Sequence, residues 1–146
     1  MHKIAVGWDP NAAPVKDGLV ALLKKQGYEV KDFGRDDPIY ANAAIAVAEA
    51  VARGEHDRGI LLCGTGIGVS ISANKVKGAY AALLSDVYSA KRARMSNDAN
   101  IACFGVLTLG KELIHELALT FLSSEFDPDS PSRPKVDRFR EYDQGR

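Results

Sequence analysis

The sequence predicts an α/β fold, a single Rossmann-like three-layer domain with a five-stranded parallel sheet and helices on both faces. Two observations carry this. Short apolar runs alternate five times with longer segments of helical period, and several runs are apolar at successive positions, as strands covered on both faces are. The length, 146 residues, suffices for one domain with a sizeable core and not for two ordinary ones.

The strands are expected at "KIAVGW" (3–8), "YEVKDF" (28–33), "RGILLC" (58–63), "AYAALL" (79–84) and "NIACFG" (100–105). In the first helix Val15, Leu19, Leu22 and Leu23 share a face; Asn11 is its expected cap, Pro14 suits its opening turn and Gly27 stops it. The second helix follows Tyr40 and is expected to bury Ile45, Ala48 and Val51. A third spans about 66–75, a fourth runs from Val87 to Met95, and the fifth carries Leu113, Ile114, Leu117 and Phe121. Such alternation gives right-handed crossovers, and ligands bind beyond the carboxyl ends of the strands. That rule selects the loops at 8–13, 34–42 and 63–68 and the segment around Ser85.

From Glu125 the pattern breaks into a proline-rich, charged stretch, which divides the chain into an α/β domain (1–124) and a C-terminal arm (125–146). The arm reads either as a frayed tail or as a segment that packs on a partner subunit or closes a site. Val136, Phe139 and Tyr142 are spaced like one helical face.

The formal net charge is zero, with 46% hydrophobic and 26% charged residues, so no electrostatic footprint of a nucleic-acid or membrane partner is present. No apolar run approaches the ~20 residues that span a bilayer. The opening "MHKIAVGWD" enters a strand at once, without the shape of a signal peptide. The expected location is the cytoplasm. Cys63 and Cys103 are expected to be reduced thiols, and no CxxC or Cys/His cluster suggests zinc.

The stretch richest in chemistry is "CGTGIGVSISANK" (63–75). It fits neither GxxxxGK[ST] nor GxGxxG, since its spacing is GxGxG after the third strand and Lys75 lies too far along to meet a phosphate. What remains is a cysteine at a strand end, followed by backbone amides made accessible by Gly64, Gly66 and Gly68 at a helix N-terminus. Those amides favour an anion or a developing oxyanion and stabilise a thiolate at Cys63. Two chemistries fit: acyl transfer with the thiolate as nucleophile, or proton transfer beside a carbonyl with the thiolate as base. Acyl transfer usually needs an orienting histidine, and His2, His56 and His115 are poorly placed for that. The plain alternative for Cys63 is a small hydrophobe ending a strand.

With these residues in view, the chain resembles the family of type B ribose-5-phosphate isomerase and galactose-6-phosphate isomerase. The resemblance runs from "IAVGWD" to about Phe121, and is strongest in "DRGILLCGTGIGVSISANKVKG" (57–78) and "SDVYSAKRARMSNDANI" (85–101). It implies a dimer or tetramer with sites between subunits, no metal or organic cofactor, and aldose–ketose interconversion of a phosphorylated sugar through a cis-enediolate. By the same resemblance Cys63 matches the catalytic base. Thr65 and the amides of Gly64, Gly66 and Gly68 match the loop that holds substrate oxygens. Asp9, Tyr40 and Asn97 match substrate-binding positions, and Arg133 with Lys135 loosely match the phosphate clamp.

Three departures stand out. Ser96 replaces the family's ring-opening histidine, Pro10 replaces a histidine beside Asp9, and Leu107 stands where an arginine is expected. A serine is a poor acid or base near neutral pH. An aldotetrose 4-phosphate needs no ring opener, because it could close only to a strained oxetane. The loss of the histidine fits such a substrate, and "SN" at 96–97 with "IYANAA" (39–44) resembles the branch acting on D-erythrulose 4-phosphate. The alternatives are ribose 5-phosphate or a hexose 6-phosphate, with Asp98 as replacement ring opener, and a non-catalytic sugar-phosphate-binding subunit that needs an unlike partner.

Overall fold

The computed structural model describes residues 2–34 and 37–146. Five strands, β1 (Lys3–Trp8), β2 (Glu29–Asp32), β3 (Arg58–Cys63), β4 (Ala81–Leu83) and β5 (Ile101–Gly105), form one parallel sheet in the order β2-β1-β3-β5-β4. The helices are α1 (Ala13–Lys25), α2 (Tyr40–Ala52), α3 (Ile67–Ala73), α4 (Val87–Met95), α5 (Lys111–Ser123) and α6 (Arg133–Gly145). The predicted fold class is the observed one.

Apolar residues at successive strand positions divide the core in two. Ile4, Val6, Ile60, Leu62 and Phe104 pack beneath α1, α4 and α5. Ala5, Leu61, Cys63, Ile101 and Cys103 face the other way, toward α2 and α3. The chain leaves β1 toward β2 and returns on the other side of β1 as β3, so the β1/β3 boundary is where strand order reverses. The crevice outside such a boundary is where open α/β sheets bind ligands.

Several local expectations are corrected. β2 and β4 are shorter than their apolar runs, because each is an edge strand paired on one side. The third helix starts one residue after Gly66 and ends at Ala73, since Gly66 takes a left-handed conformation (φ 78°) that a helix does not contain. Asn11 does not cap α1; it lies in the short 3-10 turn Pro10–Ala12 and donates its amide to Asp9. In α2 the buried residues are Ala43, Ala44, Val47, Ala48, Ala50 and Val51, while Ile45 faces outward. That helix is apolar nearly all round, so periodicity alone does not choose its inner face.

The C-terminal arm is an ordered helix docked on its own chain. Val136 is buried, Phe139 packs on Tyr80, and Arg140 pairs with Asp98 and lies over the Tyr80 ring. The Asp143 carboxylate accepts hydrogen bonds from the Gly78 amide and the Tyr80 hydroxyl, both 2.8 Å, and from Arg146 Nε at 2.7 Å. Ahead of α6, Glu125 receives His2 and Arg58, each at 3.2 Å. All these partners except Arg146 lie at the amino-terminal edge of the sheet or just before it. Tyr142, expected on the packed face, is largely exposed.

Burial alone would raise the Asp143 carboxyl, but the bonds from Gly78, Tyr80 and Arg146 hold it below the usual carboxylate value. Stability from a depressed carboxylate is present above its unfolded pKa and lost as pH falls through the native one. Asp143→Asn should therefore lower the melting temperature at neutral pH, and the gap from the parent should close below about pH 4; thermal melts across that range check it.

Candidate active site

Cys63, 4% exposed, ends β3 on the α2/α3 side of the sheet. Its carbonyl accepts from Val106 N–H and that of Gly64 from Leu107 N–H, both at 2.9 Å, so the loops after β3 and β5 are stapled together. The chain then turns at Gly66, whose N–H points back to donate to Cys63 Sγ at 3.1 Å. Only glycine serves here. A Cβ at Gly66 would meet the Leu83 side chain at 2.6 Å and the Phe104 backbone at 2.9 Å, in a conformation that side chains already disfavour. At Gly68 the constraint is contact, since a Cβ would stand 2.3 Å from the Tyr40 hydroxyl.

The rest of the loop presents donors. Thr65 is exposed, its Oγ1 accepts from Ile67 N–H at 3.2 Å, and its own hydroxyl proton remains to donate. Gly68 and Val69 lie in the first turn of α3, where N–H groups have no intrahelical acceptor. Because α3 is only seven residues long, these amides rather than a long helix dipole supply the positive field. A sulfur atom held by one amide beside several free ones is suited to a base that shuttles a proton next to a stabilised oxyanion.

Across the β1/β3 boundary, Asp9 N–H donates to Leu62 O at 2.8 Å, which fixes Asp9 beside the Cys63 loop. Its carboxylate takes the Asn11 amide at 3.2 Å. Tyr40 begins α2 and lays its ring against Gly68. Cys63, Gly64, Thr65, Gly66, Gly68, Asp9 and Tyr40 are thus gathered at the carboxyl edge of the sheet.

Ser96, Asn97, Arg133 and Lys135 are not. The helix α4 leaves the carboxyl end of β4 and runs back, so Ser96 and Asn97 sit at the opposite edge. β5 pairs Ile101 with Gly59 and Gly105 with Cys63; Asn97 precedes Ile101, which places it at least ~13 Å along the strands from Cys63. Arg133, at the start of α6, donates to Pro128 O and pairs with Asp137, and Asp127 N–H binds Met95 O beside Ser96. Lys135 is exposed on the same turn of α6. Ser96 Oγ accepts from Arg92 Nε at 2.6 Å.

Asp98, the candidate replacement ring opener, is held by Arg94 and Arg140. Pro10 is exposed beside Asp9, and Leu107 is 79% exposed against Gly64. The histidines are occupied elsewhere: His2 with Glu125, His56 edge-on to Phe33 with its pKa lowered by burial, and His115 on α5 near Gly18. Cys103 is fully buried, and burial pushes its thiol up. Among the described residues no three of His, Cys, Asp and Glu cluster to hold a metal ion, and no helix is long and apolar enough to cross a membrane.

The sequence model described as "Ribose/Galactose Isomerase" matches residues 4–139, nearly the whole chain and the entire Cys63 loop. The chain belongs to that family. It is similar to D-erythrulose-4-phosphate isomerase of Pectobacterium atrosepticum, 42% identical across 98% of this chain and 96% of that one. To ribose-5-P isomerase B of Listeria innocua it is 44% identical, across 97% of each. Among solved structures it is similar to the Trypanosoma brucei type B ribose 5-phosphate isomerase, with a TM-score of 0.92 and 37% identity over 97% of this chain and 99% of that one.

One feature of this ribose/galactose isomerase family member that sequence reading missed is an apolar surface bordering the Cys63 loop. Ile67 and Ile71 on α3, Leu83 on β4, and Val87 and Tyr88 on α4 are exposed, and Leu83 and Tyr40 touch the loop glycines. The sequence signal was faint, because "GIGVSISA" reads equally well as a wholly buried helix.

Two of the left-handed glycines, Gly66 and Gly27, predict unequal costs. Gly27 (φ 94°) has open space around it, so Gly27→Ala should cost about 1 kcal/mol. Gly66→Ala adds a collision with backbone and should cost at least about 2–3 kcal/mol, which denaturant midpoints of both variants would measure.

Proposed function

We propose that two copies of this chain interconvert D-erythrulose 4-phosphate and D-erythrose 4-phosphate through a cis-enediolate. Membership of the family makes the chain a sugar-phosphate aldose–ketose isomerase. The observation that carries the substrate assignment is the missing ring opener. Position 96 is a serine bound by Arg92, Asp98 is engaged by two arginines, and none of the three histidines faces the Cys63 loop. A substrate that stays open-chain fits such a site. The identities to tetrose and pentose isomerases, 42% and 44%, are too close to separate the two.

In this reading Cys63 takes a proton from C1 of the ketose and returns it to C2. The loop amides hold the enediolate oxygens, and Thr65 passes the hydroxyl proton between them. Asp9 and Tyr40 orient the sugar hydroxyls. Ser96, Asn97, Arg133 and Lys135 come from the second copy, because in one chain they stand at the other edge of the sheet. The exposed apolar residues around the Cys63 loop supply the contact surface.

Deuterium exchange and product formation, followed by NMR with the purified protein alone, test the substrate. Turnover of the tetrose phosphate with little on ribose 5-phosphate is expected; preference for the pentose would overturn the assignment. Silence on both would favour a binding subunit that needs an unlike partner, a reading favoured by Pro10 and Leu107 at the phosphate end. Cys63→Ala should fold normally and lose exchange and turnover together.

Mixing tests the shared site. Cys63→Ala and Asn97→Ala proteins should each be nearly inactive, yet recover about a quarter of parental activity after unfolding and refolding together, since half the dimers then carry one intact site of two. No recovery would mean that both residues act within one chain.

A further inference from the structure

Arg53, Arg58, Arg94, Arg133, Arg138, Arg140 and Arg146 all pair with carboxylates. Among the described residues, Arg92 is the arginine that does not. It is half-buried on α4, and its side chain makes one hydrogen bond, from Nε to Ser96 Oγ. No described residue takes its terminal nitrogens. A guanidinium fixed at Nε, with its outer donors unused, is set to receive an oxyanion. The setting is concave as well. Arg92, Ser89 and Asn97 line a cavity of about 250 Å³ with Ala82, Leu84 and Ala93.

We infer that Arg92 binds the anionic end of the substrate, a phosphate or sulfonate, and that Ser96 positions it. This rests on the reading that the Ser96–Asn97 end of one copy completes the Cys63 site of the other. Ser96 has a double effect at that position. It removes an acid–base group, and by accepting from Arg92 it leaves its own O–H to donate alongside the guanidinium. In a tetrose 4-phosphate the phosphate stands one carbon nearer the reacting centre than in a pentose 5-phosphate. An anion ligand on α4, beside the residues that meet the sugar, suits that shorter reach better than Arg133 and Lys135 alone. It also offsets the apolar Leu107 and Pro10. The competing role is purely structural, with Arg92 as a cation near the carbonyl end of α4.

The test uses inorganic phosphate as the probe, titrated calorimetrically and as a competitive inhibitor of isomerisation. Arg92→Gln should weaken phosphate binding at least tenfold and raise KM for the sugar phosphate more than it lowers kcat, while Arg92→Lys regains part of the loss. Unchanged phosphate affinity in both folded variants, with only a lower melting temperature, would overturn the inference and leave the isomerase reading intact. If the parent binds phosphate through Arg92 but turns over only ribose 5-phosphate, Arg92 stands as the anion ligand and the tetrose assignment falls.

Discussion

The hydrogen bond from the Gly66 amide to the Cys63 sulfur fixes the geometry on which the remaining site is built. It forms only because the chain reverses in a left-handed conformation directly above the neighbouring strand, where no side chain fits. The same reversal delivers Thr65 to the surface and starts α3 with its first amides facing outward. The backbone bonds from Val106 and Leu107 brace this loop from the next strand. On the proposed reading of Cys63 as the base, fixed backbone dipoles meet its charge with little reorganisation when the proton moves.

The sheet order explains why Ser96, Asn97, Arg133 and Lys135 lie so far from the Cys63 loop. Each β-α unit returns the chain to the amino-terminal edge before the next strand begins, so residues following a strand and residues following a helix occupy opposite ends of the molecule. The helix α6 reinforces this division. Its carboxylate Asp143 and its arginine Arg140 tie it to Tyr80, Gly78 and Asp98, all near that lower edge. The arm is therefore a fixed part of the chain, carrying Arg133 and Lys135 in a constant relation to Ser96 and Asn97. On the proposed reading, a second copy brings this end against a Cys63 loop.

Most of the carboxyl-edge site was legible in the sequence. A cysteine closing an apolar run, glycines at alternate positions behind it and an acid closing the first run are local signals, and each is enforced by backbone conformation over a few residues. The inner face of α2 was not legible, because a helix of alanines, valines and an isoleucine gives hydrophobic periodicity nothing to contrast. The end of Asn11's role as a cap has a similar origin: Pro10 opens a 3-10 turn that consumes it. Arg92 carried no motif at all, and its significance appears only when every other described arginine is found to be neutralised.

By itself the sequence determined the strand and helix alternation, the single domain and the placement of Cys63, Thr65 and Asp9 at strand ends, because pattern and backbone chemistry act over short stretches. Only the tertiary structure decided which distant residues share an end of the sheet. It separated Ser96, Asn97, Arg133 and Lys135 from Cys63, exposed Ile67, Ile71 and Leu83 beside the loop, and left Arg92 without a counter-charge among the described residues. Those outcomes depend on strand order and on the packing of α6, and strand order is set by the summed burial of the whole core rather than by any one segment.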